Sequence, residues 1–164
     1  MVCALKNSLL LLLGFCLLGN ALALPLDDSL SPRQQLDLDL VWKYQGNTTG
    51  LSDAEYNSVI AQARNVDTRL DTASYIGSRA RIYIELPITI RGLANPSSLV
   101  LSWTTGGLFS AGRVTPGNRQ QIYDGPVTAS VMRDIINFTF ELDARDLQQT
   151  LRLEPLYDIE IITP

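Results

Sequence analysis

The chain of 164 residues has no histidine and only two cysteines, Cys3 and Cys16. Both cysteines fall in the first 16 residues. The opening segment has the layout of a secretory signal peptide. Lys6 supplies a positive start, Leu9 to Leu18 is an apolar run broken only by Gly14, and Ala21-Leu22-Ala23 is a small-x-small cleavage pattern. The run is too short for a membrane-spanning helix, which needs about 20 apolar residues. Cys16 follows Leu13-Gly14-Phe15, and the bulky Phe15 disfavours lipoprotein processing. A cut after Ala23 would leave residues 24–164 with neither His nor Cys. Ser-His-Asp and Cys-His catalysis and the usual zinc ligands would then be excluded. Disulfides are excluded too, but a single domain of this size can bury a core without them.

Lysine is nearly absent. Of 13 basic residues only Lys6 and Lys43 are lysines, and the rest are arginine. A Ser-Lys catalytic pair would have to use Lys43, which lies beside Trp42 where an ordinary snorkelling lysine is expected. The net charge of −4, or −5 without Lys6, argues against nucleic-acid binding. No D-x-D-x-D-G calcium loop is present. The densest acidic group is Glu141, Asp143 and Asp146, which reads as a solvated strand end and turn. No cofactor or metal is implied.

Beyond the leader, alternation is the dominant pattern. Residues 24–35 carry two prolines, two serines and no periodicity, and read as a flexible leader before a single domain over 36–164. Leu36-Asp37-Leu38-Asp39-Leu40 alternates strictly and runs on to Tyr44 as a half-buried strand. Asp37 and Asp39 would project from one strand face about 6.6 Å apart, a spacing compatible with an inverting carboxylate pair. An amphipathic strand has the same pattern with no chemistry. Ser52 and Glu55 form a capping box, and Tyr56, Val59, Ile60 and Ala63 make an apolar stripe, so a short helix is expected over 53–64.

The clearest strand is 79–91, where Ile82, Ile84, Leu86, Ile88 and Ile90 occupy alternate positions and Pro87 marks an edge, bulge or break. Shorter alternating runs follow at Leu99 to Trp103, Val127 to Val131, Ile136 to Leu142 and Tyr157 to Ile161. Turn signals separate them, such as Thr115-Pro116-Gly117-Asn118. The pattern predicts an all-β protein, an antiparallel β-sandwich of immunoglobulin-like or related type, with one short N-terminal helix. A fold of that kind carries no function by itself.

Charge is unevenly spread along the chain. Residues 79–119 hold five arginines against Glu85, whereas acids outnumber bases on both sides. Arg81, Tyr83 and Arg91 share one parity and form a candidate surface for an anionic or sugar-like ligand. Cross-strand neutralisation by acidic neighbours is the plainer account. Trp42, Trp103 and the tyrosines are candidates for a sugar-stacking platform, although Trp103 has core parity with Leu99 and Leu101. Asn47-Thr48-Thr49 and Asn137-Phe138-Thr139 match the N-glycosylation pattern. The reading that follows is a secreted or periplasmic, non-enzymatic module binding a protein or envelope component, without nucleic acid and without a membrane span after cleavage. A carbohydrate-binding or carbohydrate-acting domain is the alternative.

Overall fold

The computed structural model describes residues 23–32, 40–44 and 49–162. Among the described residues the protein is mostly β, with antiparallel sheets that do not close into a barrel. The strands are β1 (Leu24–Pro25), β2 (Val41–Trp42), β3 (Ser58–Asp71), β4 (Arg79–Glu85), β5 (Arg91–Leu93) and β6 (Val100–Thr105). They continue with β7 (Gly112–Val114), β8 (Arg119–Pro126), β9 (Val131–Asp143), β10 (Leu147–Arg152) and β11 (Leu156–Ile162). One sheet has the order β1-β11-β4-β8 and a second the order β2-β3-β9-β6-β7. The short strands β5 and β10 pair with each other.

Alternation decides which side chains meet in the core. Ala80, Ile82 and Ile84 of β4, Ile122 of β8, and Tyr157 and Ile159 of β11 point inward from the four-stranded sheet. Val59, Ala63 and Leu70 of β3, Met132, Ile136, Phe138 and Leu142 of β9, and Leu101 and Trp103 of β6 belong to the same buried cluster. One core therefore takes side chains from both sheets.

The helix expected over 53–64 is not formed. The capping box is present, with the Ser52 hydroxyl accepting from the Glu55 amide and the Glu55 carboxylate accepting from the Ser52 amide at 2.9 Å. Yet the turn stops at Tyr56, and the chain enters β3 at Ser58. The cause is a competing period. Val59, Ala61 and Ala63 are also two apart, and all three are buried. In the strand they gain a ladder with β9 running from Ser58↔Asp143 to Asp71↔Val131. A helix of three turns has only marginal stability alone, whereas this pairing buries a whole face.

The long strand expected over 79–91 also divides. β4 ends at Glu85, Pro87 follows, and Leu86 turns its backbone to the loop at Asn118 and Gly117. Leu86 and Ile90 are still buried, but Ile88 is 77% exposed over the Gly117 turn. Arg91 then starts β5, in a different pairing from β4.

The segment read as a flexible leader is held in place over its described part. Leu24 pairs with Ile159, Leu26 is buried, and the Leu26 amide donates to Tyr157 O at 2.8 Å. Further on, the Asp71 amide donates to Asp27 O, and Ser31 exchanges hydrogen bonds with the backbone of Arg69. One buried leucine, a two-residue strand pairing and a few hydrogen bonds suffice to dock a stretch whose composition carries no periodic signal. The leader cysteines, Asp37, Asp39 and Asn47 lie outside the described residues.

Candidate functional site

β4 lies between β11 and β8, so its outward side chains meet acids from both neighbours. Arg81 stands opposite Asp124 on one side and Glu160 on the other. Asp124 takes both Arg79, at 2.7 Å, and Arg81, at 3.2 Å. The Arg81 hydrogen bond holds the Asp124 carboxyl below its ordinary range. The Tyr83 hydroxyl donates to Glu160 Oε2 at 2.8 Å, and the Arg119 guanidinium lies 4.2 Å from the Tyr83 ring centroid. Burial first, and the Glu160 carboxylate second, push the Tyr83 phenol up. Burial and the neighbouring Asp158 carboxyl likewise raise Glu85.

The outer face of this sheet is thus a charge-neutralised lattice. Arg81 and Tyr83 are together, as their parity requires, with Arg81 Nε on Asp124 and the Tyr83 hydroxyl on Glu160. Arg91 does not join them, because the break at Pro87 sends it to β5, opposite Arg152. The three residues do not form one anion surface. What the sequence could not show was register: Asp124 and Glu160 are 43 and 79 positions from Arg81, and only the pairing brings them alongside.

Lys43 Nζ donates to Glu141 Oε1 at 2.6 Å, and Ser58 Oγ donates to the same oxygen at 3.2 Å. The Glu141 carboxylate raises the Lys43 pKa and keeps the ammonium charged. Asp143 is bound by Arg145 at 2.6 Å and also accepts from the Arg145 amide. Glu141 and Asp143 therefore have separate counterions, and among the described residues no three potential ligands gather around one point.

The two tryptophans part company. Trp103 is buried, and its indole N–H donates to Ser110 O at 2.9 Å. It is a core residue, so the stacking role suggested for it fails. Trp42 is 51% exposed on edge strand β2, its sequence neighbours Leu40, Val41 and Tyr44 are exposed as well, and so is Tyr56 at the end of the turn that precedes β3. Lys43 donates its position to the same corner, with its amide on Ser58 O and its ammonium 5.2 Å from the Tyr44 ring centroid. Leu40, Val41, Trp42 and Tyr44 thus form an exposed apolar run interrupted only by Lys43. Asn137 points outward as its parity implies, and its Oδ1 accepts from the Asn65 amide at 2.9 Å. Asn65 has φ 56°, at the bulge where β3 loses register with β9.

One residue with a large structural role went unnoticed in the sequence. Asp134 is buried in β9 and accepts from the Phe109 and Ile135 amides, both at 2.7 Å. It clamps the loop between β6 and β7 from inside. The signal was available, since Asp134 has the same inward parity as Met132 and Ile136. No helix among the described residues is long and apolar enough to cross a membrane. Comparison with protein-family models, with curated proteins and with solved structures finds no match.

Proposed function

We propose that the chain is an exported, non-enzymatic binding module, secreted or periplasmic, whose sheets form a β-sandwich of immunoglobulin-like or related type. The sharing of one core by two antiparallel sheets supports the sandwich reading. Strand β1 begins at Leu24, the residue that cleavage after Ala23 would make the N-terminus, so the cut would spare every described strand. The observation that carries the binding reading is the exposed run on β2. Leu40, Val41, Trp42 and Tyr44 are exposed within five consecutive residues along a sheet edge. Such patches mark contact surfaces, and edge strands are ready templates for a partner.

The partner is a protein or envelope component. Co-sedimentation with the envelope fraction of the exporting cell tests this, comparing the wild type with Trp42→Ala. Retention of the wild type and loss of the variant is the expected result. Equal retention of the two, or retention of neither, would remove β2 as the contact surface. The aromatic content of the same run supports a second reading, carbohydrate binding by stacking on Trp42, Tyr44 and Tyr56. Binding of a glycan array with loss on Trp42→Ala, and no retention on sugar-depleted envelope, would favour it.

A further inference from the structure

Of the ten arginines among the described residues, all but Arg91, Arg113 and Arg152 are held by a partner side chain. Arg69, Arg79, Arg81, Arg133 and Arg145 each have an aspartate within 3.2 Å. Arg119 lies over Tyr83, and Arg64 donates to Gln62. Arg91 and Arg152 are different. Both are exposed, and they are direct register partners across β5 and β10. Neither forms an ion pair with any acid among the described residues, Glu154 two positions from Arg152 included.

Directly opposed side chains on an antiparallel pair have Cβ atoms about 5 Å apart, and like charges there repel. The chain has 17 acids to 13 bases, so a carboxylate in one of these places would have been the ordinary solution. The backbone holds the two strands tightly together. Gly92 has φ +99°, and a Cβ on it would lie 2.7 Å from Thr150 O, so β10 packs directly against the residue next to Arg91. The two strands are therefore held together at this point, and the side chains of Arg91 and Arg152 leave the backbone side by side.

We propose that Arg91 and Arg152 together bind a phosphate-type oxyanion. Two guanidinium forks on one strand pair offer parallel N–H donors to the oxygens of one tetrahedral group, and the anion would cancel their repulsion. The ligand is a phosphate, either free or displayed on a lipid headgroup. This gives the binding reading above a ligand chemistry at a second surface, on β5 and β10 rather than β2, and it stands or falls separately from the export of the chain.

The test is titration of the protein with inorganic phosphate, following the arginine Nε–H signals by NMR, beside co-sedimentation with phosphatidylcholine vesicles with and without phosphatidic acid. The Arg91 and Arg152 signals should move together along one saturable curve. Arg91→Gln or Arg152→Gln should each weaken binding roughly tenfold or more. Arg91→Lys, which keeps charge but loses the fork, should fall between. Arg113→Gln removes another exposed, unpaired arginine and should change nothing. Phosphatidic-acid-dependent retention that Arg91→Gln abolishes, without a response to free phosphate, would place the group on a lipid and support the site. No response to either probe, or equal weakening by Arg113→Gln, would overturn it.

Discussion

Asp134→Ala is the substitution for which the structure makes the sharpest demand. The carboxylate is buried and accepts from two backbone amides, of which Phe109 N–H is fully buried. Removing the acceptor leaves that amide without a partner at a cost of about 1–3 kcal/mol, with a charged hydrogen bond lost as well. A total of about 2–4 kcal/mol is expected. The same carboxylate crowds Gly107, where a Cβ would stand 2.5 Å from Asp134 Oδ1 and 2.9 Å from its carboxyl carbon. Gly107→Ala should therefore be costly in the wild type and much cheaper when Asp134 is alanine. Trp103 reports on the loop, because its indole N–H is bonded to Ser110 O. Urea denaturation followed by tryptophan fluorescence would give all four corners of the double-mutant cycle. A coupling of roughly 1 kcal/mol or more between the two sites is the expected result. A loss under about 0.5 kcal/mol for Asp134→Ala, or an equal cost of Gly107→Ala in both backgrounds, would refute the clamp.

Ile84 is fully buried at the centre of the four-stranded sheet, so Ile84→Ala should cost about 3–5 kcal/mol in chemical denaturation. Tyr83→Ala, on the outer face, gives up one hydrogen bond and the Arg119 contact and should cost less than half as much; equal losses would mean both faces of β4 are buried. Burial pushes the Tyr157 phenol up to about 12, against an opposing contribution from Thr68. The fold thus favours the neutral phenol. That stability is complete below the ordinary tyrosine value near 10 and is lost as pH rises from there toward 12, by roughly 3 kcal/mol. Tyr157→Phe should abolish most of this alkaline loss in pH-dependent urea midpoints, and an unchanged alkaline profile would show that Tyr157 does not cause it.

The sheet-forming residues were legible wherever one period stood alone. Ile82 and Ile84 alternate with arginine and tyrosine, and β4 has the expected inner and outer faces. Trp103 was legible as a core residue from its parity with Leu101. The region from Val59 to Ala63 was not, because its apolar residues satisfy the helical period and the strand period together. Only pairing with β9, 80 positions away, decides between them. Ile88 shows the opposite failure: it keeps the step of its neighbours, yet Pro87 ends the ladder and turns it to solvent. Arg81, Tyr83 and Arg91 were not brought to one strand for the same two reasons. A break separated Arg91 from the others, and non-local register brought Asp124 and Glu160 against Arg81 and Tyr83. Leu24 to Leu26 carried no pattern because two backbone pairings and one buried side chain are too few to leave one.

The most direct test of the account as a whole is the N-terminus of the protein recovered from outside the cytoplasm, read by intact mass and N-terminal sequencing. An exported module whose first strand starts at Leu24 should begin with Leu24-Pro25-Leu26 and carry no lipid. An intact Met1, a start beyond Leu26, or a diacylated Cys16 would contradict it.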